Sequence, residues 1–115
     1  MKKKKPQIIL AQYVGLKMEV EALEEMNAFP EKIGEKQQEV ERIEQALENI
    51  ADPAHRVVLM RRYAVGLQLT PWPQIAQKTY GGSEEKHMQA IYRLHGRALQ
   101  SFDREYKKLK KESHP

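Results

Sequence analysis

Cysteine is absent from this chain of 115 residues. Its absence excludes a disulfide framework, a thiolate metal site and a thiol nucleophile, and it suits a reducing, cytoplasmic setting. Nor is there a run of about 18 consecutive apolar residues, so no membrane-spanning helix and no membrane partner are expected. The basic start followed by Ile8, Ile9 and Leu10 mimics a secretory leader, but Gln12 and Lys17 interrupt it and no small-residue cleavage site follows. No stretch alternates β-branched residues with a period of two, which excludes strands. Catalytic patterns are missing as well. Ser83, Ser101 and Ser113 lack a glycine-flanked nucleophile turn, and Asp52 and Asp103 sit in unrelated local settings. Gly81-Gly82 is not followed by the Lys-Ser/Thr pair that holds a nucleotide, and His55, His87, His95 and His114 form no His-x3-His pair. At this length about two-thirds of the unfolded surface can be buried, enough for one core but not for a second, cofactor-bearing domain. A non-enzyme without cofactor or metal is expected.

What is present is charge, unevenly spread. Residues 1–51 carry eight Lys/Arg against ten Asp/Glu, a balance of −2, whereas residues 52–115 carry twelve against six, a balance of +6. Without the Lys2 to Lys5 run, residues 6–51 stand at four against ten, or −6. A polyphosphate would repel that segment, which better suits a protein contact. The Lys2 to Lys5 run itself reads either as a phosphate-seeking arm or as a solvated tail.

Turn residues divide the chain into helical stretches, so the expected class is all-α: an N-terminal antiparallel helical hairpin over 1–51, then a basic helical unit over 52–115. From Ile9, Tyr13, Leu16, Val20 and Leu23 mark one face of a helix that ends near Asn27, before Pro30. Leu10, Val14 and Met18 widen its apolar surface, either to pair two copies as a homodimer or to fill the space toward the C-terminal unit. After Pro30, Ile33, Val40, Ile43, Leu47 and Ile50 repeat the spacing, with Lys36 in one polar place. The short link requires an antiparallel return. A third helix is expected from the Asp52 cap and Pro53 through Val58, Leu59 and Tyr63 to a stop at Gly66. A short fourth runs from a Thr70 cap through Trp72, Ile75 and Ala76 to Gly81-Gly82. Trp72 reads as core. Ser83 is expected to cap a long fifth helix toward Lys111, with Met88, Ile91, Leu94, Ala98 and Phe102 facing inward.

A short helix, a glycine-containing turn and a second helix with a basic outer face describe a helix-turn-helix, whose second helix enters the major groove. On that face lie Lys86, Gln89, Arg93 and Arg97, suited to phosphates and to the edges of adenine and guanine. His87 and His95 read as polar positions on the same helix, with His95 near the DNA. Lys107, Lys108, Lys110 and Lys111 read either as phosphate contacts beyond that surface or as a solubilising helix end.

The stretches His55-Arg56-Val57-Val58-Leu59-Met60-Arg61-Arg62-Tyr63, Gly66-Leu67, Trp72-Pro73-Gln74-Ile75-Ala76 and Ile91-Tyr92-Arg93-Leu94-His95-Gly96-Arg97-Ala98-Leu99 resemble the fourth region of sigma factors. The whole is similar to the RinA/ArpU-like phage transcriptional regulators, over roughly residues 52 to 102. The chain departs from the pattern in a longer approach at Gln68 to Pro71 and a longer turn around Gly81 to Lys86. The resemblance implies a sequence-specific regulator of phage genes, often late ones. It would bind double-stranded DNA and act on bacterial RNA polymerase in the host cytoplasm, with Tyr92 joining the contact residues. Two other readings stay open: a polymerase-docking sigma mimic or inhibitor, and a small DNA-packaging recognition subunit.

Overall fold

The computed structural model describes residues 5–27 and 30–112. Every regular element among them is helical: α1 (Pro6–Ala11), α2 (Tyr13–Glu25), α3 (Pro30–Asn49), α4 (Pro53–Tyr63), α5 (Trp72–Tyr80) and α6 (Glu85–Glu112). Lys2 to Lys4, Ser113 and His114 lie outside the described residues, so the basic tail is represented by Lys5, which precedes α1.

The hairpin forms as its spacing predicts. Its direction is written in the cross-links: the Tyr13 hydroxyl donates to Glu44 Oε2 at 2.6 Å, and Lys36 Nζ meets Glu19 Oε1 at 2.8 Å. Residues early in α2 face residues late in α3, so the two run antiparallel. Lys36, the polar interruption of the α3 stripe, thus contributes an ion pair across the hairpin. Asn27 closes α2 with a φ of 50°, a left-handed conformation that asparagine tolerates better than most residues.

The helix expected from Ile9 to Asn27 is instead two helices, separated at Gln12. The Gln12 N–H is shared between the carbonyls of Ile8 and Ile9, at 3.2 and 3.3 Å. Helix α1, with Ile9 and Leu10 buried, packs on α6, whereas α2 packs on α3. Leu10, read either as part of a surface for a second copy or as filling the space toward the C-terminal unit, is 1% exposed and part of the core, in a helix that packs on α6.

Asp52 caps α4 as expected, its Oδ1 accepting from the Ala54 N–H at 2.9 Å. The helix ends at Tyr63 rather than at Gly66. The Arg62 carbonyl, which another turn of helix would need for residue 66, accepts the Thr70 N–H at 3.1 Å, and the Arg62 guanidinium donates back to the Thr70 carbonyl at 2.7 Å. This clamp also removes Thr70 from the capping role assigned to it: Pro71 stands at the start of α5, with no side-chain cap.

One apolar cluster joins all six helices, with Leu10, Ile43, Val58, Leu59, Ile75, Ile91 and Phe102 fully buried. Helix α6 is its axis, packing on α1, α3, α4 and α5. Asp52 therefore marks a change of helix within a shared core. Two buried-end phenols tie the layers together. Tyr13 donates to Glu44 and Tyr106 to Glu39; burial first, then the neighbouring carboxylate, raises both phenol pKa values, that of Tyr106 to about 12, so each stays a donor.

Candidate nucleic-acid interface

Helices α5 and α6 are joined by residues 81–84, and each glycine there has its own reason. Gly81 takes a φ of 79°, ending α5 in the left-handed conformation while its N–H reaches the Gln77 carbonyl at 2.9 Å. Gly82 has an ordinary φ but no room: a Cβ there would stand 2.5 Å from His87 Cε1. The His87 ring sits over the turn because its Nδ1 accepts the Glu84 N–H at 3.2 Å. Ser83 was the expected cap. The helix opens one residue later, with the Glu84 carbonyl accepting from Met88 N–H at 2.9 Å and His87 reaching back as the third helical residue.

Beyond the turn α6 is two-faced. Ile91, Ala98, Phe102 and Tyr106 are buried, and Met88 and Leu94 are partly so. The expected contact residues Lys86, Gln89, Tyr92, Arg93 and Arg97 are all exposed. At about 100° per residue, Lys86, Arg93 and Arg97 fall within about 40° of one line on the side opposite Ile91 and Ala98. No described residue pairs with these three cations. Gln89 lends its amide to Glu85 at 3.4 Å, one turn back. Arg93 and Arg97 are like charges four apart, an arrangement that disfavours an isolated helix by a few tenths of a kcal/mol, roughly.

Behind this face stands an aromatic cluster. Trp72, read as core, is partly buried and packs against the core from its edge, with the Arg62 guanidinium 4.5 Å from its ring centroid and His95 meeting it edge-on at 4.5 Å. Tyr92, half exposed, braces its ring edge-on against Trp72 at 5.7 Å. His95, expected near the DNA, is withdrawn from the exposed face of α6. Its Nε2 is 2.7 Å from the Tyr63 hydroxyl, and its pKa is lowered to about 4, first by burial and then by the Arg62 charge. The neutral ring shares this hydrogen bond with the Tyr63 hydroxyl, and His95 serves to dock α6 on α4. Arg61 and Arg62 are similarly internal: Arg61 donates to Thr79 Oγ1 at 3.0 Å, and Arg62 closes the clamp on Thr70.

The sequence reading did not single out Gln100 and Arg104, which are exposed and continue the same line. Their signal was available in the spacing of Arg93, Arg97, Arg104, Lys108 and Lys111. Glu85, Asp103, Glu105 and Glu112, the acids of α6, lie about 80° or more around the helix from that line. Of the C-terminal lysines, Lys107 pairs with Asp103 at 2.7 Å, Lys108 with Glu105 at 3.3 Å, and Lys110 lies over the Tyr106 ring at 5.6 Å. His55 bridges Ser101 Oγ at 2.8 Å and Asp52 at 3.4 Å. Among the described residues no group of three potential ligands stands together for a metal, and no helix is long and apolar enough to cross a membrane.

The chain matches no protein-family model, no curated protein and no solved structure.

Proposed function

We propose that this chain is a sequence-specific DNA-binding transcriptional regulator whose α6 reads the major groove, the activity that the RinA/ArpU-like resemblance implies for a phage-encoded protein acting on late genes. One observation carries the reading: an exposed line of Lys86, Arg93 and Arg97, with Gln89 beside it, on a helix whose other face is anchored in the core. A major groove about 12 Å wide accepts one α-helix, and α5 with its glycine turn leaves the N-terminal turns of α6 projecting at the surface. Gln89 and Arg93 then face base edges, Lys86 and Arg97 face phosphates, and Tyr92, held by Trp72, flanks the groove. No reaction is assigned to the chain.

The test is selection of bound duplexes from random sequence. The wild-type chain is expected to enrich one motif. Arg93→Ala or Gln89→Ala should lose about 1–3 kcal/mol on that motif and change the preferred base, whereas Arg97→Ala should weaken all sequences alike. Recovery of no motif refutes the reading and favours docking on polymerase. That second reading has its own observation: Val65 and Leu67, 71% and 74% exposed, present an apolar loop between α4 and α5.

We also propose a homodimer. With Leu10 in the core, the surface left for a second copy is the outer side of α1 and α2, where Ile8, Met18 and Met26 are exposed. Sedimentation should give twice the 13.4 kDa of one chain, and a monomer at micromolar concentration overturns it.

A further inference from the structure

The cationic line on α6 does not stop where base reading would. Lys86, Arg93, Arg97, Arg104, Lys108 and Lys111 follow one another at spacings of 7, 4, 7, 4 and 3, which keeps them within about 40° of a common line over about 38 Å of helix. The reading segment from Lys86 to Arg97 accounts for about 17 Å of it. Arg104 stands about 10 Å further on and Lys111 about 21 Å, so a straight helix seated in a winding groove about 12 Å wide carries these two past the base edges.

The bland explanation of such residues is solubility or complementation of the helix dipole, and it fits Arg104 poorly. The dipole acts within the last turn, and Arg104 lies two turns from the end of α6. Solubility is served as well by alternating signs, yet Arg104 and Lys108 are like charges four apart on the exposed side. This half of α6 is also firmly held: Phe102 is buried, its ring stacks on Tyr106 at 5.5 Å, and the Tyr106 hydroxyl donates to Glu39, which binds Arg42 at 2.6 Å as well. Arg104 and Lys111 are exposed, and no described residue pairs with them, unlike Lys107 and Lys108.

We infer that the exposed side of the C-terminal half of α6, centred on Arg104 and Lys111, is a second DNA contact that grips the sugar-phosphate backbone flanking the bases read by its N-terminal half. This rests on the DNA-reading function proposed above and extends the footprint of each α6 toward its C-terminal end. Gln100 lies between the two segments and spans them without charge.

The experiment measures anisotropy of a labelled duplex of mixed sequence, about 30 bp, against the full chain over a salt series. Removing two phosphate contacts with Arg104→Gln/Lys111→Gln should lower the slope of log K against log salt by about 1.8. Affinity should fall for every sequence while the selected motif stays the same. Hydroxyl-radical footprinting of the wild-type chain should show backbone protection extending past each bound half-site on the side of the α6 C-terminus, and the double variant should lose that extension. An unchanged slope and protection that ends with the bound half-site, with Arg93→Ala still weakening the motif, overturn the second contact and leave the reading function standing. Absence of any duplex binding by the wild-type chain overturns both.

Discussion

At the scale of single residues, the neutral ring of His95 couples folding to acid. In the unfolded chain the imidazole takes a proton below its ordinary pKa of 6.5, whereas in the fold burial and Arg62 delay protonation until about 4. Between those values the unfolded state binds more protons, so stability falls as pH falls from 6.5 to 4 and gains no further loss from this group below that. The full shift corresponds to about 3 kcal/mol, and the ring's partial exposure reduces this to on the order of 1–2 kcal/mol. Thermal unfolding followed by the fluorescence of Trp72, the single tryptophan, at pH 7.5 and pH 4.5 checks it. His95→Gln, which keeps an acceptor for Tyr63, should show the smaller pH dependence; equal dependence in both proteins refutes the assignment. The exposed places of Lys86, Gln89, Arg93 and Arg97 were legible from helical spacing alone. The withdrawal of His95 was not, because Tyr63, Trp72 and Arg62 reach it from other helices and no local pattern encodes them.

At the scale of elements, the α5–α6 turn makes a sharper demand on sequence than either helix does. Gly82→Ala should drive the His87 ring off the turn and strip the Glu84 N–H of its acceptor, at about 1 kcal/mol, the typical value of a lost cap. Gly81→Ala acts through its backbone and should cost about 1–2 kcal/mol. Urea midpoints separate the two causes. Adding His87→Ala should abolish the extra effect of Gly82→Ala and leave that of Gly81→Ala untouched, and additive losses for Gly82 and His87 contradict the clash. The existence and inward faces of the helices were legible, since Val40, Ile43 and Ile50, or Ile91, Ala98 and Phe102, repeat with the helical period and are buried. Helix ends were less so. Gly66 looked like a stop, but the Thr70 N–H takes the Arg62 carbonyl three residues sooner; Ser83 looked like a cap, but a histidine three residues past Glu84 supplies the bond. Both departures arise from hydrogen bonds between groups whose pairing depends on the loop already being formed.

At the scale of the whole molecule, the core recognises no boundary at Asp52. A fragment beginning there would uncover the surfaces of α6 that α1 and α3 cover in the full chain, and Tyr106 would lose its bond to Glu39. Losing the burial of such an apolar face removes several kcal/mol, on the order of the entire stability of a small domain. The fragment is expected to melt broadly, without the cooperative transition of the full chain by far-ultraviolet circular dichroism; a sharp transition would show an independent unit. This sharing was hidden from the sequence because periodicity tells which side of α6 is apolar and not which helices share it. It also has a kinetic consequence. The hairpin, with its balance of −6 over residues 6–51, packs on the buried side of α6, and the cationic line runs along the opposite side. The molecule, 48 × 32 × 26 Å in extent, therefore carries its acidic hairpin and its cationic line on opposite sides of α6. Near a polyanion such a body feels a torque as well as an attraction, so it arrives with α6 foremost and fewer collisions are wasted. Its association rate should then fall with ionic strength even before any contact has formed.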